Sequence, residues 1–165
     1  MLVKTIDSKT ACCFSGHRHI PPQIQARLRQ RVKDGIAYLY STMNITTFYT
    51  GGALGFDTLA AEAVIECRRQ YPDIHLSMVL PCADQAARWS TEDRMHYERI
   101  KKNANSVICL AEHYSSGCMH QRNRYLVDHS SICICYLTEQ VGGTAYTVKY
   151  AREQGLKVNN LANSK

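Results

Sequence analysis

Residues 131–160 read SICICYLTEQVGGTAYTVKYAREQGLKVNN. The uncharged run at 131–137 is rich in β-branched, aromatic and cysteine residues, which is typical of a strand buried on both faces. Apolar side chains then recur at helical spacing as far as Gly155, which stands where a C-terminal helix cap is expected. A second short run at 157–160 predicts another strand. The stretch therefore predicts a βαβ unit with parallel strands.

The same alternation of strand and helix extends over the rest of the chain. Short apolar runs bounded by turn residues predict six strands, at residues 11–15, 45–50, 74–80, 106–110, 131–137 and 157–160. Between them, apolar positions step by three or four residues, as on one face of a helix. We predict an α/β fold: a single three-layer Rossmann-like domain over residues 1–165, with a mostly parallel sheet and helices on both faces. The strand order stays open.

The composition excludes several classes of protein. Of the 165 residues, 45% are hydrophobic and 21% are charged, which is ordinary for a globular protein and excludes disordered, collagen-like and coiled-coil chains. No apolar run approaches the roughly 20 residues of a membrane helix, and the chain start has no signal-peptide core. We therefore expect no membrane partner. The net charge of +6 favours anionic partners such as nucleotides or nucleic acid.

The eight cysteines favour a reducing compartment. A secreted disulfide scaffold is small and rich in loops, whereas most of these cysteines lie inside apolar runs. Free cysteine in such a place packs as a small hydrophobe, so we expect free thiols and a cytoplasmic protein. His113, Cys118 and His120 fall in one predicted loop, but without the spacing of zinc ligands. We expect no metal and no cofactor.

Two glycine-rich turns follow predicted strands and precede predicted helices. In a parallel α/β sheet, ligands bind beyond the carboxyl ends of the strands. Glycines let the backbone approach a phosphate, and the start of a helix attracts the negative charge. Each turn is either such a cradle or a tight connection without a ligand, and the presence of two favours binding. The candidate residues are Gly51, Gly52 and Gly55 in the first turn and Gly142, Gly143 and Thr144 in the second. Neither turn has the pattern of a dinucleotide fingerprint or a P-loop.

Four other side chains are candidates for the same site. Asp57 either accepts hydrogen bonds from ribose hydroxyls or stabilises the start of its own helix. Arg18 and Arg122 lie in predicted loops after strands, where arginine binds phosphate with two hydrogen bonds. Trp89 either stacks on a base or packs in the core, and its spacing within a predicted helix favours the core.

Several short motifs together resemble the YpsA-like family of bacterial proteins, in the SLOG superfamily of Rossmann-like domains. The motifs are spread over nearly the whole chain. They are residues 12–18, which include Ser15, Gly16, His17 and Arg18; residues 50–57; Pro81 together with Trp89; residues 118–123, which include Arg122 and Asn123; residues 127–130; and residues 142–144. Two segments are also similar to the Rossmann core of the DNA-processing protein DprA. The resemblance implies a pocket for a nucleotide or nucleotide derivative, such as an ADP-ribose, NAD-like or nucleoside phosphate ligand.

The resemblance also bears on catalysis. LOG-type relatives cleave the N-glycosidic bond of nucleoside monophosphates and carry a Glu a few residues after their second glycine turn. Here the next Glu is Glu153, more than two helical turns away. We therefore expect a sensor or regulator that binds without turnover. The alternatives are a hydrolase that uses Asp57 or another carboxylate, and a single-stranded nucleic-acid binder that uses Arg18, Arg122 and Arg124. A homo-oligomer stays open.

Overall fold

The computed structural model describes residues 7–163, and within that range strands and helices alternate as the sequence predicts. The strands are β1 (Ala11–Gly16), β2 (Thr47–Thr50), β3 (His75–Leu80), β4 (Ser106–Cys109), β5 (Ile132–Tyr136) and β6 (Lys157–Asn160). The helices are α1 (Pro22–Met43), α2 (Phe56–Gln70), α3 (Thr91–Asn103), α4 (Cys118–Asp128) and α5 (Gly143–Glu153). A short 3₁₀ turn, Ser8–Thr10, precedes β1. All six predicted strands are confirmed.

The strands form one parallel sheet in the order β4-β3-β2-β1-β5-β6. Strand β1 is central, because Cys13 pairs with Tyr49 of β2 on one side and with Cys133 of β5 on the other. After β1 the chain builds outward through β2, β3 and β4, and it then returns to place β5 on the opposite side of β1. The strand order therefore reverses between β1 and β5, which is where sheets of this kind leave a crevice for ligands.

Two apolar layers enclose the sheet. Side chains of β1 alternate between them: Cys12 and Phe14 pack with α1, α2 and α3, whereas Ala11 and Cys13 pack with α4 and α5. Because both faces of the sheet are buried, polar and apolar residues do not alternate along the central strands. The three-layer α/β architecture is thus confirmed, and the sheet is wholly parallel.

Two predicted boundaries were wrong. Trp89 precedes α3 instead of lying within it, because the Ser90 side chain caps the helix by accepting a hydrogen bond from the Asp93 N–H (3.1 Å). The segment predicted as a loop holding Cys118 and Arg122 is mostly α4, which starts after Gly117. Within residues 7–163, none of the helices combines the length and the apolar character needed to cross a bilayer.

Candidate functional site

A cavity of about 290 Å³ opens beyond the carboxyl end of β1, at the point where the strand order reverses. We call it the switch-point cavity. Side chains or backbone from β1, α2, α4 and the turn before α5 form its walls. Most of the sequence-predicted site residues line it: Ser15, Gly16, His17, Arg18, Asp57, Arg122, Asn123, Gly142, Gly143 and Thr144. The chain thus brings together residues from four separate segments.

The second glycine-rich turn forms the open side of this cavity. Gly142 has a φ of +108°, a backbone conformation that favours glycine. A Cβ at Gly142 or Gly143 would meet nothing within 4 Å, so both glycines face free space. Helix α5 starts at Gly143, and the first N–H groups of a helix lack intrahelical partners. The turn therefore presents free donors and the positive end of a helix dipole to the cavity.

The first glycine-rich turn has a different environment. Gly51, Gly52 and Gly55 lie outside the lining of the switch-point cavity. The Arg122 guanidinium fills the place of a Cβ at Gly51, and the backbone carbonyls of Arg18 and His17 fill that place at Gly55, where φ is +82°. Close packing thus accounts for glycine at these two positions. Phosphate binding by this turn stays a prediction.

Arg122 lies on α4 and is 4% exposed. Its Nη1 donates a hydrogen bond to the carbonyl oxygen of Gly51 and contacts Gln85 Oε1 at 3.5 Å. Its Nε donates to Asn123 Oδ1 at 2.8 Å. The surface-loop position expected for Arg122 was therefore wrong. The side chain joins α4 to the β2–α2 turn, and it forms part of the cavity wall.

Asp57 is a buried carboxylate whose charge acts on Arg122. It is 6% exposed, and its Oδ2 accepts a hydrogen bond from the Ala53 N–H at 3.2 Å. Burial raises the pKa of Asp57 to about 6, although the Arg122 charge and the backbone donors of Ala53 and Gly51 act in the opposite direction. Burial also lowers the pKa of Arg122, and the charge of Asp57 opposes this change. Asp57 and Arg122 thus both contact the backbone of the first glycine-rich turn, and both line the switch-point cavity.

The β1–α1 loop is fixed by two contacts of His17. Its Nε2 accepts a hydrogen bond from the Thr138 N–H at 2.8 Å, and its carbonyl oxygen accepts one from the Phe56 N–H at 3.1 Å. Because Nε2 is the acceptor, the neutral ring carries its proton on Nδ1. His17 therefore ties together the loop after β5 and the start of α2, and so holds both sides of the cavity.

Arg18 is exposed at the cavity mouth, and its Cζ lies 5.7 Å from the centre of the Trp89 ring. Trp89 itself packs edge-on against Tyr97, with ring centroids 5.2 Å apart, and against the core on the α1–α3 side. This agrees with the core-packing interpretation of Trp89.

The predicted His and Cys cluster is dispersed. His113 lies in the loop before α4 with its Nδ1 3.6 Å from Asp84 Oδ2, whereas Cys118 and His120 lie on α4. Among residues 7–163, no three His, Cys, Asp or Glu side chains are grouped to hold a metal ion. Sequence reasoning missed Gln85, Met119 and Val141. Met119 lies within one recognised motif and Val141 adjoins another, so both could have been found from the sequence, but Gln85 carries no signal of its own.

Comparisons with known proteins agree with this architecture. The chain is 27% identical to the SPbeta prophage-derived protein YoqJ of Bacillus subtilis (strain 168) over 139 residues, which is 77% of this chain and 81% of YoqJ. It is 26% identical to a UPF0398 protein of Bacillus pumilus (strain SAFR-032) over 137 residues, which is 81% of this chain and 69% of the relative.

A solved structure is similar in fold. DNA processing protein A from Helicobacter pylori, whose structure describes a single-stranded DNA binding mode, matches with a TM-score of 0.64 and 19% identity. The match covers 96% of this chain and 69% of that protein. The YpsA family model, described as the YspA SLOG family, matches residues 12–162. The chain therefore belongs to the YpsA family of SLOG proteins.

Proposed function

We propose that this protein binds a nucleotide or nucleotide derivative in the switch-point cavity and acts as a sensor or regulator. The observation that carries the proposal is the open glycine turn at the start of α5, where a Cβ at Gly142 or Gly143 would meet nothing within 4 Å. A parallel sheet binds its ligands at such a reversal of strand order. The eight free cysteines, seven of them buried, favour a place in the reducing cytoplasm.

Different residues around the cavity bind different parts of the nucleotide. A phosphate group accepts hydrogen bonds from the backbone N–H groups of Gly143 and Thr144, as anions do at helix starts. Asn123 and Ser15 supply neutral polar groups for the sugar. The volume of about 290 Å³ is near the lower end of the roughly 300–1,000 Å³ usual for small-molecule sites. This size fits a mononucleotide.

Titration calorimetry with adenine, guanine, uracil and cytosine nucleotides tests the proposal. A Cβ at Gly143 meets no protein atom within 4 Å, so we expect Gly143→Val to fold, and its side chain then occupies the space that the phosphate needs and abolishes binding. Thr91→Val, at the first position of α3, is the matched control and retains binding. If none of the nucleotides gives measurable heat of binding with the wild-type protein, the proposal is wrong.

A second candidate is single-stranded nucleic-acid binding. The structural similarity to Helicobacter pylori DNA processing protein A and the net charge of +6 support it. Arg18 and Arg124 are exposed, whereas Arg122 is buried and is not available to a strand. Fluorescence polarisation with labelled oligonucleotides at several salt concentrations tests this function. A binder that neutralises several phosphates loses affinity steeply as salt rises, whereas a mononucleotide site does so only weakly.

A further inference from the structure

A second cavity, of about 530 Å³, lies among the amino-terminal halves of α1, α2 and α3. We call it the helix cavity. Its wall carries two arginines and two carboxylates, Arg18, Arg29, Glu62 and Asp93, so with neutral histidines the formal charge of the wall is zero. A wall of zero net charge does not complement the several negative charges of a nucleotide. The helix cavity therefore suits a different class of ligand from the switch-point cavity.

Two of these four charges are compensated by other protein groups. The two carboxylate oxygens of Glu62 contact Arg29 Nη2 and His96 Nε2, one from each neighbouring helix. Arg29 Nη1 also contacts Glu66 Oε1 at 3.3 Å. Arg29 and Glu62 thus hold each other in place between α1 and α2, and neither needs a ligand to balance its charge.

Arg18 and Asp93 carry the remaining two charges. Within residues 7–163, neither side chain makes an ion pair or a hydrogen bond. The Arg18 guanidinium lies 5.7 Å from the centre of the Trp89 ring, which positions it and leaves its N–H donors free. Asp93 is in the first turn of α3, where the helix dipole favours a carboxylate. One uncompensated cation and one uncompensated anion therefore line the same cavity.

The helix cavity also has an apolar part of its wall. Ile20, Leu54 and Leu59 line it. Leu59 is buried in the core and Ile20 packs against the core, so this surface is held by the fold. Small-molecule sites combine apolar walls with a few polar groups that fix the orientation of the ligand. A ligand here meets a cationic group, an anionic group and an apolar surface.

We propose that the helix cavity binds a zwitterionic ligand of the amino-acid class, free or as a short peptide. Its carboxylate contacts the Arg18 guanidinium, its ammonium group contacts the Asp93 carboxylate, and an apolar side chain packs on Ile20, Leu54 and Leu59. Charge-assisted hydrogen bonds of this kind are stronger than neutral ones. The proposal goes beyond the nucleotide site and does not depend on it.

Titration calorimetry with L-leucine, the dipeptide leucylleucine and two analogues that each lack one charge tests the inference. Isocaproate lacks the amino group of leucine, and isoamylamine lacks its carboxylate. In the wild-type protein, L-leucine or the dipeptide binds saturably, and whichever of the two binds more tightly identifies the free amino acid or the peptide as the ligand. Both analogues bind at least about tenfold more weakly.

Variants of the two uncompensated residues assign the charges. Asp93 lines the helix cavity alone, whereas Arg18 also lines the switch-point cavity, so Asp93→Asn is the cleaner change. It weakens binding of the zwitterion about tenfold. Glu92→Gln, also in the first turn of α3 but outside the cavity lining, is the matched control and retains the affinity within about twofold. In Arg18→Gln, the preference for L-leucine over isoamylamine falls below about twofold, because the carboxylate has lost its partner.

Three results would overturn the inference. The first is the absence of binding heat with both L-leucine and the dipeptide in the wild-type protein. The second is equal affinity for a zwitterion and for an analogue that lacks one charge. The third is full affinity in Asp93→Asn, which would make Asp93 a solvated surface charge. Each of these leaves the nucleotide proposal standing, because nucleotide binding is measured separately on the same protein.

Discussion

The guanidinium of Arg122 occupies the space that a Cβ at Gly51 would need, and it donates a hydrogen bond to the Gly51 carbonyl oxygen. The two residues are 71 positions apart in the sequence. The contact connects α4, on one face of the sheet, to the turn that leads into α2 on the other face. Arg122 thus fixes the relative position of two walls of the switch-point cavity, and no ligand is needed for that role.

The first prediction concerns this close approach. Gly51→Ala displaces the Arg122 guanidinium and lowers the free energy of unfolding by about 2 kcal/mol or more. Gly143→Ala, where a Cβ meets open space, changes it by less than about 0.5 kcal/mol. Denaturant unfolding of both variants measures the difference. Equal stabilities would contradict the packing that the structure gives Gly51.

The second prediction concerns the pH dependence of stability. Asp57 has a folded pKa of about 6, above its ordinary value of 3.8, so between these pH values the folded state binds more protons than the unfolded state. The stability that protonated Asp57 contributes to the folded state is fully present below about pH 4 and is lost as the pH rises through about 6. Relative to Asp57→Asn, the wild-type protein therefore loses stability on the order of 3 kcal/mol across this window.

Denaturant unfolding of the wild-type protein and the Asp57→Asn variant at several pH values from 4 to 7 measures this effect. The difference between the two proteins isolates Asp57 from the other carboxylates, including Glu66, whose pKa is lowered by its contact with Lys33. A constant difference over the whole range would show that Asp57 titrates normally.

The third prediction concerns the thiols. Seven of the eight cysteines are buried and Cys109 is exposed. Burial is the main cause that raises the pKa of the Cys82 thiol to about 12, and the nearby Asp84 carboxylate adds to it. The high pKa further suppresses the reactivity of this thiol. A thiol reagent at neutral pH therefore modifies one cysteine rapidly in the native protein and all eight after denaturation. Rapid modification of several thiols in the Cys109→Ser variant would contradict this burial.

The fourth prediction is that the protein binds its ligand without cleaving it. Stabilising a glycosidic transition state needs a carboxylate beside the sugar. Glu153 lies at the far end of α5, about 15 Å along the helix from Gly143. Asp57 lines the cavity, but it is buried and its carboxylate accepts a hydrogen bond from the Ala53 N–H. Incubation with nucleoside monophosphates, NAD and ADP-ribose, followed by chromatography, is therefore expected to yield no free base or ribose phosphate. Multiple turnover that Asp57→Asn abolishes while binding persists would make the protein a hydrolase.

The sequence predicts the strands well, since each central strand is buried on both faces and appears as an uninterrupted apolar run. It also locates the turn at Gly142 and Gly143, because glycine pairs between a strand and a helix are a local signal. The arrangement around Arg122 is different. Buried positions of α4 step by four residues through Cys118, Arg122 and Leu126, and a charged residue in the middle obscures the apolar face of the helix.

The contacts that shape the site are also beyond local sequence patterns. The hydrogen bond of His17 with Thr138 and the contact of Glu62 with His96 join segments that are distant in the sequence. Their proximity can be inferred only once the strand order is known. Spacing alone does not determine that order, because β5 could have paired with either edge of the preceding strands. The cavity among α1, α2 and α3, which Arg29, Glu62 and His96 help to line, has no sequence signature for the same reason.

The most direct test of the central claim is the backbone amide spectrum of isotope-labelled protein during titration with the preferred nucleotide. The account predicts that the amide signals of Gly143 and Thr144 shift most and saturate together with those of Ser15 and Asn123. They remain unshifted in Gly143→Val at the same ligand concentration. Saturable shifts confined to residues outside the switch-point cavity, with Gly143 and Thr144 unaffected, would contradict the account.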